Sequence, residues 1–210
     1  MPEFWIWLPV LIVVLFAHEL GHLVAARIVG FAVESVSVGF GPRLLDITDR
    51  QGTRWSLCLF PLGASCSVPE AARTSASSDQ SCLNHFSRRQ LYKEALVYSG
   101  GPIFSIALTV IAVGIAAPLS FEKLDFFSFD VMRSEIERVS LLIAAVSLCI
   151  GVFNLIPLPP LDGGRLLFIG VDLVRGKKIA MRTEQSACLY GFRLLMAISL
   201  GLVLYAFAQA

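Results

Sequence analysis

The residues best suited to chemistry stand together in the run His18-Glu19-Leu20-Gly21-His22. On a helix, positions four apart share a face, so the two imidazoles can grip one zinc ion while Glu19 stands beside it as a proton carrier. The run lies inside Phe4 to Val29, which is otherwise almost wholly apolar. Ionisable side chains are costly in a bilayer, so three within five residues need a compensating structure. A zinc ion supplies one. Simple hydrogen bonding inside a helix bundle is the competing reading, and it leaves the spacing of the two histidines without a purpose.

A second unusual run is Asn154-Leu155-Ile156-Pro157-Leu158-Pro159-Pro160-Leu161-Asp162-Gly163-Gly164. Its three prolines cannot continue a helix, so Asp162 is expected on irregular backbone at membrane depth, where a carboxylate needs a strong partner. Two histidines and one carboxylate, leaving a fourth position for water, make a catalytic rather than a structural zinc site. Asp162 is therefore the expected third ligand. Asn154, eight residues earlier, is expected on the last turn of the preceding helix, where its amide can bond a substrate backbone or a developing oxyanion. The alternative for Asn154 is a helix-end amide that satisfies its own backbone.

These residues need elements to hold them, and composition says which. Of 210 residues 56% are hydrophobic and 16% charged, against about 25% charged in soluble domains. Four stretches reach the roughly 20 apolar residues that cross a bilayer. The sequence thus predicts an all-α membrane protein of one domain over residues 1–210, with transmembrane helices at about 4–29, 95–119, 139–156 and 189–208. The first span has no basic flank and does not read as a cleaved leader. Lysine and arginine number seven in 31–95, three in 119–139 and five in 163–189. By the positive-inside rule, the first and last of these loops are cytoplasmic and both termini lie outside an inner membrane.

After Gly30, a helix stop, two β-rich runs, 33–40 and 53–60, flank the polar segment Asp46 to Gly52 and predict a small β-hairpin over about 33–60. The run from Thr53 to Phe60 is the expected edge strand, able to hold an unwound peptide by strand addition. Residues Val68 to Asn84 read as a flexible loop, and His85 beyond them as a solvated side chain. Small residues at Ser99-Gly100-Gly101-Pro102 predict close helix packing. Net charge is +1 with no basic run, so no nucleic-acid partner is expected. Five cysteines without a Cys-x-x-Cys spacing indicate neither a disulfide framework nor a thiolate metal site.

The two constellations together resemble the site-2 protease family of intramembrane zinc metalloproteases. Gly39-Phe40-Gly41-Pro42, Pro61-Leu62-Gly63 and Gly101-Pro102 are similar to its bacterial branch that cleaves anti-sigma factors. The resemblance implies that His18, His22 and Asp162 bind zinc and that Glu19 activates water. It implies single-pass transmembrane proteins as substrates, in contact with membrane lipid, and a hairpin that re-enters the membrane. Two departures stand out. Relatives often carry a PDZ domain between the second and third spans, where this chain has a short acidic connection. Ser105 stands where relatives often carry asparagine, which bears on a substrate contact there.

Two other classes fit less well. A membrane metal carrier needs sites reachable from both sides, and the chain shows no repeat and no second ionisable path. A non-proteolytic regulator that binds membrane helices has no use for Glu19.

Overall fold

The computed structural model describes residues 4–67, 88–121 and 129–209. In chain order the elements are α1 (Phe4–Ile28), β1 (Ser35–Thr48), β2 (Arg54–Ser67), α2 (Arg88–Phe121), α3 (Phe129–Asn154), α4 (Asp162–Arg175) and α5 (Met181–Gln209). His85 and the serine-rich stretch before it lie outside the described residues.

Backbone polar groups in hydrocarbon must be satisfied internally, which is why the apolar stretches become continuous helices. Among the described residues three helices are long and apolar enough to cross a membrane, over Ile6–Ile28, Arg89–Ala117 and Ser134–Asn154. This corrects the expectation of four. The fourth stretch does fall inside a helix, α5, but that helix opens with Arg182 and Glu184 and carries Arg193 in its apolar run. Those charges dilute its described part below what a span requires.

α1 stops where glycine permits. Gly30 takes φ 82°, and the Phe31 N–H returns to the Ala26 carbonyl at 2.8 Å. Lipid tails are as apolar as leucine, so helices within a bilayer associate through close packing at small residues. α1 and α2 meet this way at Gly21 and Gly100. A Cβ on Gly21 would lie 2.8 Å from the Phe104 Cβ and strike the Gly100 carbonyl; one on Gly100 would lie 2.8 Å from the Ala25 Cβ. Gly100→Leu is therefore expected to force the helices apart and cost at least the 1–3 kcal/mol (roughly) of an overpacked core. Thermal unfolding in detergent would reveal it as a lowered midpoint. An unchanged midpoint would show that the crossing is slack.

The second correction concerns the β structure, which makes the protein other than all-α. β1 bends at Gly39 and Gly41, whose φ values of 91° and 93° suit glycine alone, and β2 bends between its own two ladders. The four arms form a mixed sheet in the order 43–48, 54–58, 35–38, 64–67. Val36 pairs with Trp55 in the parallel direction and with Cys66 in the antiparallel direction. The arm expected to be an edge, 54–58, is paired on both sides. Among the described residues the free edges are 43–48 and 64–67.

Two contacts fix the sheet against the helices. Leu23 and Ala26 of α1, Phe31, Val33, Val36 and Val97 of α2 form a buried cluster. Asp49 in the turn after β1 accepts from the backbone N–H groups of Gln51 and Thr53 at 2.8 and 3.0 Å, and from Arg27 of α1 at 2.7 Å. Slight desolvation opposes its charge, but these donors prevail and hold the carboxyl at about 2.

Candidate metal centre

α1 places His18 and His22 one turn apart, with their ring centroids 5.0 Å from each other. Asp162 arrives from a distant part of the chain. After Asn154 the backbone runs through a string of tight turns, with Leu158 N–H bonded to Ile156 O at 2.7 Å and Leu161 N–H to Leu158 O at 2.9 Å. The prolines forbid a helix there. Gly163 and Gly164 then pack directly on the 155–159 backbone, with a Cβ on Gly164 only 2.6 Å from the Pro159 nitrogen. Asp162 was expected on irregular backbone; it is instead the first residue of α4. The amino end of a helix dipole favours a carboxylate, so this position suits its charge.

The three side chains converge. Asp162 Oδ2 lies 3.1 Å from His18 Nε2 and 3.1 Å from His22 Nε2, and the two Nε2 atoms are 3.3 Å apart.

Whether these residues fit zinc can be decided from the donors. His22 Nδ1–H donates to the Val97 carbonyl at 2.8 Å, an acceptor only. The neutral ring therefore turns a lone pair toward Asp162 Oδ2, another acceptor, and toward His18 Nε2. Such acceptor crowding calls for a cation. Ligands at about 2.0–2.1 Å from a tetrahedral zinc stand about 3.3 Å apart, and the three separations here match that edge length. His18, His22 and Asp162 thus form a group that could hold a metal ion.

The trio lines a cavity of about 640 Å³ together with Glu19 and Asn154. Glu19 is buried, at 6% exposure. Asn154 donates its amide to the Ile150 carbonyl of its own helix at 3.0 Å, and the residue borders the cavity. Ser65, Cys66 and Ser67 of the free edge arm 64–67 form another part of the wall. Burial first, then the Glu19 charge, pushes the Cys66 thiol up to about 12. It remains a neutral lining group.

Sequence reasoning missed four contributors. The Val97 carbonyl leaves no trace in a sequence, being backbone. Gly101 had only the signal of a small residue, yet its role is specific: a Cβ there would lie 2.6 Å from His18 Nε2 and collide with His22 Nε2. Gly101→Ala is expected to drive the imidazoles out of register and abolish zinc retention with helix content unchanged, as metal analysis beside circular dichroism would show. Wild-type zinc content in that variant would mean that the helices yield. Ser105 drew notice only as a departure that puts a shared substrate contact in doubt; it is fully buried behind His18, its Oγ 2.9 Å from His18 Nδ1. The arm 64–67 was placed beyond the expected hairpin.

Comparison with known proteins gives the same direction. The family model of peptidase family M50 matches residues 6–126 and 115–198. A provisionally named zinc metalloprotease of Brucella suis is 40% identical over 110 residues, 48% of this chain and 29% of that protein. One of Mesorhizobium japonicum, also provisionally named, is 35% identical over 116 residues, 50% and 32% of the two chains. Zinc metalloprotease RasP of Oceanobacillus iheyensis is 45% identical over 69 residues, 33% of this chain and 16% of RasP. The matched stretches cover less than a third of the length of each of these relatives.

Proposed function

The chain belongs to peptidase family M50, the site-2 protease family, and from that premise we propose that it is a zinc-dependent endopeptidase that cuts peptide bonds within transmembrane segments of other proteins. The observation that carries this reading is the convergence of His18, His22, Asp162 and Glu19 on one cavity beside membrane-spanning helices. A metal carrier or a helix-binding regulator would not need the buried carboxylate of Glu19 there.

When bound, zinc supplies Lewis acidity, which makes water a nucleophile near neutral pH and polarises a peptide carbonyl. The protein's residues do the rest. His18, His22 and Asp162 hold the ion. Glu19 takes a proton from the attacking water and returns it to the leaving amine, so hydrolysis proceeds without a covalent intermediate. Asn154 keeps one amide N–H and its Oδ1 for the substrate, since the other N–H is engaged by Ile150.

A substrate helix hides its carbonyls in its own hydrogen bonds and must unwind before attack. The edge 64–67 can receive the unwound strand, because among the described residues its backbone has an unpaired side and its residues share the cavity with His18, His22 and Asp162. The substrates of this reading are single-pass membrane proteins, anti-sigma factors among them, cut in regulated intramembrane proteolysis. In this reading the chain sits in an inner membrane with its site toward the cytoplasm, a side that the lysine and arginine pattern of the loops supports.

Terminal-peptide mass spectrometry on membranes of a host with and without the chain tests the reading. New protein ends inside transmembrane segments, found only with the chain, are expected. Identical peptide sets in the presence of zinc-loaded protein would reject it.

A further inference from the structure

The two histidines are oriented by different partners, and only one of those partners is unambiguous. Val97 offers His22 a carbonyl, which can only accept. Ser105 offers His18 a hydroxyl, which can accept or donate. The two possibilities are opposite in effect. A hydroxyl that donates to Nδ1 places the ring hydrogen on Nε2, where it blocks a metal; one that accepts from Nδ1–H leaves the Nε2 lone pair free.

The metal position decides which applies. His18 Nε2 faces Asp162 Oδ2 at 3.1 Å and His22 Nε2 at 3.3 Å, so a ring that ligates there carries its hydrogen on Nδ1, and the Ser105 oxygen accepts it. Ser105 is also held from behind. Ser147 of α3, fully buried, donates to the Ser105 carbonyl at 2.8 Å, and Gly151 comes so close that a Cβ there would lie 2.9 Å from the Ser105 Cβ.

We propose that Ser105 is a positioning residue of the metal site: its Oγ accepts from His18 Nδ1–H and aims the Nε2 lone pair at the ion, while α3 fixes Ser105 in place. The proposal rests on the zinc-site reading above. It identifies a hydroxyl inside the helix bundle, with no access to the substrate, as a determinant of metal affinity. Losing an outer partner of a ligating histidine typically costs about 10–100-fold in affinity.

The test uses the full chain in detergent, with zinc affinity measured by chelator competition and ligand geometry by the visible spectrum of cobalt(II)-substituted protein. Ser105→Ala is expected to weaken zinc by about 10–100-fold and to shift the cobalt bands. Ser99→Ala removes a hydroxyl of the same helix that bonds only the Ala95 carbonyl; it is expected to leave affinity and spectrum as in wild type. Ser105→Thr, which keeps the oxygen, is expected to retain both. Equal affinity losses in Ser105→Ala and Ser99→Ala, or an unchanged cobalt spectrum in Ser105→Ala, would overturn the proposal. Should Ser105→Ala not fold, hydrogen exchange of the His18 Nδ1–H in zinc-loaded wild type decides: protection equal to that of His22 supports it, and rapid exchange overturns it. Failure of the site reading itself would show separately, as zinc retained by His22→Ala.

Discussion

Glu19→Gln is expected to keep its zinc and lose its proteolysis. The substitution preserves shape and the capacity to accept a hydrogen bond, while removing the basicity that takes a proton from water. Glu19 is not among the three residues whose atoms converge on the metal position, so the ion should remain. It is buried on the cavity wall at 6% exposure, where bulk water cannot replace it as a proton carrier. General acid–base catalysis contributes about 10²–10⁴-fold, and here one residue serves both halves of the transfer. Turnover of a transmembrane peptide should therefore fall by at least that factor, with zinc content equal to wild type by metal analysis. Normal turnover in zinc-loaded Glu19→Gln would remove Glu19 from the mechanism.

Asp162→Ala should give the opposite pattern, with the metal lost along with the activity. The carboxylate is the only anionic ligand in the group, so its removal leaves a dication held by two neutral imidazoles inside a protein wall. The expected weakening exceeds the roughly 100-fold upper range for losing an outer-shell partner. α4 itself should survive, because Gly163 and Gly164 still pack against the preceding turn. Chelator competition gives the affinity and circular dichroism the fold. Zinc held at wild-type affinity would reduce Asp162 to a favourable acid at the start of a helix.

The convergence of His18, His22 and Asp162 into a group that could hold a metal ion was legible in the sequence because its logic is local on one side and conspicuous on the other. Two histidines four apart have one geometric use on a helix, and a carboxylate among prolines and glycines has few. Tertiary pairing was not legible. The β-rich character around Val36 and Trp55 was plain, but β-propensity does not tell a central arm from an edge. The bends at Gly39 and Gly41 and between the β2 ladders brought 35–38 between two neighbours and left 64–67 free. The fourth stretch, 189–208, is not among the three spans found in the described residues, and its apolar length was read without weighing Arg193 inside it. Ser105 drew notice only as a departure from relatives, since a hydroxyl's partner across a helix interface depends on rotation that no periodicity specifies.

His22 and Asp162 meet at 3.1 Å across 140 positions of sequence. During synthesis the histidine pair leaves the ribosome and enters the bilayer long before the aspartate exists. A chain stopped before Asp162 has only two of the three residues and cannot assemble the group, so under the proposed function such a product is inert toward its neighbours in the membrane. Placing the two halves of the group 140 positions apart in sequence makes synthesis past Asp162 the condition for arming it.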